Sequence, residues 1–355
     1  MANSQIISWS AEDLNGPSLL HALGSVIPDA LDGAKPIVST VLTLGLYVKG
    51  ASSPKWVSLA QELAKQHPSR ILVINPTSAD RQPRLDVAIS ATVAQRGHGE
   101  TPTLFSECVE LNLKGGLATH WIDFLQPLVR PGLPAYLWWL VTPPGADFRW
   151  DLLSTSGFTH LVMDSKTGNW QQWLPSLRQA VAYHMHVDDL EWQRLRDLRH
   201  HWAQLADAPE ILKTLLNMES VEVTAPDLRW SQWIWWVAWI ASRLGWNLVL
   251  NADRTPIAIE TDLGPVPIMV AENSETTLTI ASDDMRVTTH ISQPILKSVA
   301  YQGNTTILTL DEHRITTSVQ EDMHNILNRG HDVLFSQALQ CLLAAEDSLG
   351  GTLDA

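Results

Sequence analysis

The spacing of apolar residues switches repeatedly between a period of two and a helical period along this chain. IVSTVLTLGLYV (37–48) is β-branched, apolar and partly alternating, which predicts a strand. PKWVSLAQELAKQ (54–66) puts Trp56, Leu59 and Leu63 on one face at helical spacing. His67-Pro68 stops that helix, because proline disfavours helical geometry in the residue before it. SRILVINP (69–76) is almost wholly apolar, as a strand covered on both faces is. Strand, helix, strand at this spacing predicts a crossover joining a parallel pair. DVAISATVA (86–94) and ECVELNLKG (107–115) each alternate at period two, and the polar QRGHGETP between them predicts a hairpin. A helix broken near Pro127 is expected over 118–129, strands over 133–144 and 158–165, and a helix over 169–184. Residues 1–34 read as a short helical extension, with Ser10 a candidate N-cap before AEDL.

The second half opens with DDLEWQRLRDLRHHWAQLAD (188–207), where Leu195, Leu198, Trp202 and Leu205 form a buried stripe. APEILKTLLN (208–217) continues the helical pattern and SVEVTA (220–225) is a short strand. RWSQWIWWVAWIASRLGW (229–246) is apolar nearly all round and holds six of the chain's 16 tryptophans. A helix with no polar face buries every side. Its uninterrupted apolar run, Trp233 to Ala241, is far short of the roughly 20 residues that span a bilayer. It reads as the central helix of a soluble domain, with Gly245 as its stop. Short β-branched, Thr-rich runs over 247–318 predict an antiparallel meander with one wet face. A helix from about 320 to 347 follows, weakened midway by Gly330. The expected class is mixed α/β (α+β): an extension (1–34), an N-terminal α/β sheet domain (35–186), and a C-terminal α+β domain (187–350) with the Trp-rich helix and the meander.

Composition narrows the function classes. The chain has 355 residues, 45% hydrophobic and 17% charged, which is globular and large enough for two cores. A net charge of −14 argues against a nucleic-acid footprint, which needs clustered Lys and Arg. Two cysteines, Cys108 and Cys341, do not make a disulfide scaffold and suit a reducing cytoplasm. The N-terminal residues lack the basic start and apolar stretch of a secretory signal.

Reactive machinery is not evident. There is no GxxxxGKS/T or GxGxxG loop, and no GxSxG elbow. Gly97 and Gly99 fall in the expected hairpin and not before a helix N-terminus. Cys108 sits in a strand pattern near Glu107 and Glu110, whose charge raises a thiol pKa. Cys341 lies near the apolar face of the last helix; the two thiols are the candidates for a redox switch. His184 and His186, with Asp188 and Asp189 close by, are the best candidates for a metal, but they fall at a helix end, where the geometry is poor. No catalytic, cofactor-binding or metal-ligating set is therefore assigned.

Several segments, in chain order, resemble one family. HPSRILVI (67–74), Glu107-Cys108 followed by Gly115-Gly116, PLVRPGLPAYLWWLVTPP (127–144), LVMDS (161–165), the 188–207 segment and IWWVAWIASRLGW (234–246) are similar to motifs of the glucose-6-phosphate dehydrogenase assembly protein OpcA family. Gly132 stands where that family often has Asp, and Thr159-His160 where it often has paired Arg. The resemblance implies a non-catalytic cytoplasmic protein that binds glucose-6-phosphate dehydrogenase and promotes its assembly or activity. It also implies thiol-based redox input in photosynthetic relatives, for which this chain offers only Cys108 and Cys341.

Tryptophan supplies large rigid contact area, so Trp138, Trp139, Trp233 and Trp236 are the candidate partner contacts. In a strand Trp138 and Trp139 face opposite sides, so at least one is expected in the core. The competing expectations are a metal-dependent enzyme using His184 and His186, and a domain that senses a sugar phosphate.

Overall fold

The computed structural model describes residues 3–49, 53–78, 82–95, 101–227, 231–292, 295–313 and 318–351. The chain divides into two compact units, one of residues 1–163 and 179–187, the other of residues 164–178 and 188–355.

The first unit is built on one sheet. Its elements are β1 (Asn3–Ala11), α1 (Gly16–Ala30), β2 (Ile37–Val38), β3 (Leu42–Tyr47), α2 (Ser53–Gln66), β4 (Ser69–Thr77), β5 (Arg84–Gln95), β6 (Thr103–Lys114), β7 (Ala135–Trp139), α3 (Trp150–Thr155) and β8 (His160–Met163), with the last residues of α4 (Trp170–Ala182) and the first of β9 (His186–Asp189), whose other residues belong to the second unit. The strand order is β1-β5-β6-β4-β3-β7-β8-β9, with β2 beside β6. β3, β4, β6, β7 and β8 run parallel, while β5 and β1 add on antiparallel. The central strands are covered on both faces, which is why their sequences are continuous apolar runs: all five residues of β7 are buried. Gly45 in β3 is a close-approach glycine. A Cβ there would stand 2.6 Å from Phe158 Cζ and 3.0 Å from Leu137 Cδ1, both in the core. Gly45→Ala is expected to lower unfolding stability by about 1–3 kcal/mol through overpacking. Urea denaturation checks this; an unchanged midpoint would show that Phe158 moves aside at no cost.

Two expectations for this unit change. The N-terminal stretch is a strand before it is a helix: β1 pairs with β5 over its whole length, Asn3↔Gln95 to Ala11↔Val87. Ile7 is buried and Ile6 is 77% exposed, the alternation of a strand with one covered face. The N-cap of α1 is Asn15, whose side chain accepts from Ser18 N, and not Ser10. The helix expected at 118–129 is a run of 3-10 turns, Gly115–Thr119 and Trp121–Phe124. Pro127 has no N–H to give and bars its predecessor from helical geometry, so an α-helix cannot carry through. The hairpin of β5 and β6 forms as expected, but its loop with Gly97 and Gly99 lies outside the described residues.

The second unit contains α5 (Leu190–Arg194), α6 (Arg196–Leu205), α7 (Pro209–Leu216), β10 (Ser220–Ala225), α8 (Gln232–Leu244), β11 (Asn247–Leu250), β12 (Pro256–Thr261), β13 (Gly264–Glu272), β14 (Thr276–Ala281), β15 (Met285–Ser292), β16 (Ile295–Gln302), β17 (Thr305–His313), α9 (Val319–Arg329) and α10 (Val333–Gly351). The Trp-rich helix α8 buries every residue from Gln232 to Ala238, with Ile240 and Ala241. Trp239 alone in that stretch is partly open. Gly245 ends the helix at φ 74°, a left-handed conformation that costs glycine nothing. Trp235 meets Trp170, Trp192 and Phe335 at ring-centroid distances of 5.4, 6.0 and 5.0 Å, and Trp202 packs on Trp236 at 5.1 Å. Trp230 is outside the described residues.

The sheet of this unit has eight strands in the order β11-β12-β13-β10-β14-β15-β16-β17. It is not the single antiparallel meander expected. β10 inserts between β13 and β14, parallel to β13 (Val221↔Ile268) and antiparallel to β14 (Val221↔Ile280). Its residues alternate between buried and half-buried, as an interior strand with one covered face does. The C-terminal helix is two helices: α9 opens with a capping box between Ser318 and Glu321 and ends at Gly330.

Candidate functional site

The four tryptophans expected at a partner surface all lie in the core. Trp138 and Trp236 are 0% exposed, Trp233 2% and Trp139 3%. Trp139 stacks on Tyr47 at 4.0 Å and donates its indole N–H to Thr142 O. Burial of Tyr47 pushes its phenol up to about 12. Trp138 meets Trp56 edge-on at 5.4 Å. The indole N–H groups of Trp138, Trp233 and Trp236 find no acceptor among the described residues. β7 is flanked by β3 and β8 and covered on both faces, so alternation does not bring either of its indoles to the surface.

The ionisable residues of the sequence motifs are gathered inside each unit. In the first, Glu107, 1% exposed, accepts from Arg70 Nε at 2.7 Å and Arg130 Nη2 at 3.3 Å. Arg70 also donates Nη1 to Leu128 O, which ties the turn after the 3-10 segment to the sheet. In the second, Arg194 donates to both oxygens of Asp164, at 2.8 and 3.0 Å, and pairs with Glu191. Its Nε stands 3.4 Å from Asp322 Oδ2. Asp189 caps α5 by accepting from Glu191 N at 2.8 Å, and also accepts from Ser165 N at 3.2 Å. Trp235 Nε1 donates to Ser165 Oγ at 3.2 Å. Burial pushes Asp188 up to about 8 and Asp189 up to about 7.

One arrangement was invisible in the sequence. His201 Nε2 lies 2.7 Å from Ser298 Oγ, and His201 Nδ1 lies 3.0 Å from Glu312 Oε2. This is the order of partners in a nucleophile–base–carboxylate triad. The surroundings differ from a working one: His201 is 0% and Ser298 1% exposed, and Thr289 Oγ1 occupies the serine hydroxyl at 2.6 Å. A reacting carbonyl needs open space about 3 Å from the hydroxyl, and here that space is filled by core. Burial also pushes the imidazole pKa down.

The candidate metal pair does not converge. His184 sits at φ 59° after α4, exposed, while the His186 ring stacks on His160 at 4.9 Å. Among the described residues there is no group of three or more His, Cys, Asp or Glu placed to hold a metal. Both thiols are free. Burial pushes Cys108 up to about 12, with Glu110 adding to the effect, and Cys341 up to about 11. Cys108 is buried and Cys341 half-buried, and at neutral pH both are held as thiols.

The surface feature of the second unit is the uncovered face of its sheet. Register places Pro265, Pro267 and Met269 of β13, Glu222 and Thr224 of β10, Thr277 of β14, Arg286 and Thr288 of β15, and Lys297 and Tyr301 of β16 on one side. Met269 is 47% exposed there. An ion pair, Arg286–Glu222 at 2.9 Å, bridges β10 and β15 across it. The opposite side carries Val221, Val223, Leu278, Ile280, Val287 and Leu296, all buried. Threonine dominance on the open side is what the Thr-rich sequence of these strands dictates. No helix among the described residues is long and apolar enough to cross a membrane.

Fold and site define a two-unit mixed α/β protein with a tryptophan core, in which the recognisable motif residues hold each unit together from within. The family description "Glucose-6-phosphate dehydrogenase subunit N-terminal domain" matches residues 60–179, and its counterpart for the C-terminal domain matches residues 185–339. The chain belongs to the OpcA family of glucose-6-phosphate dehydrogenase assembly proteins. A protein named "Putative OxPP cycle protein OpcA" from Synechococcus elongatus is 26% identical over 191 residues, 54% of this chain and 43% of that protein. Its namesake from Synechocystis is also 26% identical over 191 residues, 54% of this chain and 40% of the relative. The matched part is thus less than half the length of these relatives. Among solved structures, a super-repressor mutant of Gal80p from Saccharomyces cerevisiae aligns with a TM-score of 0.46 at 9% identity, over 90% of this chain and 96% of that one. A likeness of that degree says nothing about activity.

Proposed function

We propose that the chain is a non-catalytic assembly factor that binds glucose-6-phosphate dehydrogenase and activates it allosterically. The observation that carries this reading is the ordered match of both halves of the chain to the two domains of that family. The occlusion of the His201–Ser298 pair supports the non-catalytic part. A cytoplasmic location belongs to the same reading and rests on the two free thiols. Mechanistically, the chain binds one conformation or oligomer of the enzyme more tightly and shifts the population toward it. Added to purified glucose-6-phosphate dehydrogenase, it changes oligomer size, kcat or substrate affinity. Absence of any effect together with absence of co-elution would refute the proposal.

Within this reading the docking surface is the open face of the eight-stranded sheet, and the buried tryptophans act by stiffening what lies behind it. The face is broad and mixes threonine, proline, methionine and tyrosine with the charged Glu222, Arg286 and Lys297. Met269→Glu puts a second negative charge beside its register neighbour Glu222, at a half-exposed position. The affinity for the dehydrogenase is expected to fall about tenfold, the effect of a desolvated unpaired charge at an interface, with the unfolding midpoint unchanged. Co-elution or calorimetry reads this, and full affinity in that variant would move the docking surface elsewhere.

A further inference from the structure

In the second unit, α6, the exposed end of α9 and the turn before α10 line an open pocket of about 460 Å³, with Trp239 of α8 in its wall. Arg196 and Arg199 from α6 and Arg329 from α9 converge on it, in a chain whose net charge is −14. Arg199 is 7% exposed. Its guanidinium has two partners among the described residues: Trp192 O, at 3.2 Å, and the Trp192 ring, 3.6 Å from its centroid. Neither is an anion; the negative charge that offsets its burial is that of Asp332 nearby. Burial pulls Arg199 down to about 9; Asp332 opposes the shift, and Arg329 and Arg196 add to it.

The carboxylate in the wall, Asp332, is already committed. Its Oδ1 accepts from Leu334 N and Phe335 N at the start of α10, and its Oδ2 accepts from Trp192 Nε1 at 2.9 Å. Arg329 is exposed and makes no ion pair among the described residues, and Arg196 pairs with its chain neighbour Asp197 at the long distance of 3.5 Å. Three guanidiniums therefore face one cavity whose lining holds a single, occupied carboxylate. Guanidinium forks match the oxygens of a phosphate, and a dianion balances such a set better than a monoanion does. The rest of the lining is the part-open indole of Trp239, with Ala203, Val333 and Leu334, and the imidazoles of His200 and His331. The volume suits a small organic molecule and exceeds what a bare ion fills.

We propose that this cavity is a binding site for a small phosphate monoester, with its phosphate on Arg196, Arg199 and Arg329 and its organic part against Trp239. The proposal is independent of the dehydrogenase reading, because the test uses the chain alone. Isothermal titration of the full chain with glucose 6-phosphate, as a representative monoester, should show saturable binding at one site. Inorganic phosphate should bind at least about tenfold more weakly, and glucose not at all. Arg329→Ala, at an exposed position that does not threaten folding, should weaken the ester about tenfold, the effect of losing one charge-assisted contact. Arg329→Lys should restore part of it. Trp239→Ala should weaken the ester and leave inorganic phosphate unchanged. No binding of either phosphate at millimolar concentration, equal affinity for ester and inorganic phosphate, or an Arg329→Ala chain that binds as the wild type does would each overturn the proposal. So would tight binding of a glutamate-rich peptide that outcompetes the ester, which would make this a protein contact instead.

Discussion

Arg194→Met should destabilise the second unit by about 3–5 kcal/mol, the cost of removing one partner from a buried charge cluster. The substitution keeps side-chain length and apolar bulk, so packing changes little. It strands Glu191 and Asp322, whose side chains are each 1% exposed, and removes both hydrogen bonds to Asp164. The expected result is a urea midpoint far below that of the wild type. Arg149→Ala provides the contrast, because the Arg149–Asp151 pair is 62% and 47% exposed and solvent screens such a pair to little net effect. Similar losses in the two variants would mean that the Arg194 cluster is solvated in the working protein.

The second large effect is on pH dependence. Asp188 is 4% exposed, and burial, then Asp332, then Asp189, push its carboxyl up to about 8. Asp189, pushed up to about 7 by burial and then by Asp164, behaves alike. In the unfolded chain an aspartate ionises near its ordinary value of 3.8. Between those limits the folded protein holds protons that the unfolded chain has released, so stability falls as pH rises. This contribution is complete below the unfolded value and is lost as pH climbs to about 8. Asp188→Asn mimics the protonated form. Relative to the wild type, its folding equilibrium constant should gain about tenfold per pH unit between about pH 4 and 7. Denaturant titrations of both proteins at the two ends of that range read the difference. Other carboxylates, such as Asp86, held down to about 2 by Arg84 and Lys114 against the opposing effect of burial, cancel in the comparison. A constant difference across the range would show that Asp188 is ionised in the folded state.

Much of the fold was legible because each readable element carries its own local signature. The Trp-rich helix is apolar on every side, so burial follows from the residues alone. The crossover of β3, α2 and β4 announces itself by the switch of period and by Pro68. β1 was missed because Ile7 and Trp9 are too short an alternating run to separate from a polar extension; β5 as its neighbour is what makes it a strand. β10 reads as a strand, but nothing in its six residues says that it inserts between β13 and β14.

The candidate site divides the same way. Tryptophan content flagged interaction, yet the tryptophans chosen as contacts are core: Trp138 and Trp139 because a strand flanked and covered on both faces has no outward side, Trp233 and Trp236 because α8 is packed all round. Asp164, Glu191 and Arg194 fall inside segments that carry the family resemblance, and the sequence alone assigns none of them a role. Asp322, far along the chain, gave no signal at all. Arg196, Arg199 and Arg329 were ordinary surface cations until α6 and α9 brought them to one cavity.

The amino-acid sequence by itself determined the elements, the aromatic core and the family, because periodicity, proline and glycine punctuation and ordered motifs are local properties. The tertiary structure decided which indoles are hidden, which carboxylates keep their protons and where positive charge gathers. Those depend on desolvation and on Coulomb forces that act over a few ångströms of space, whatever the separation along the chain.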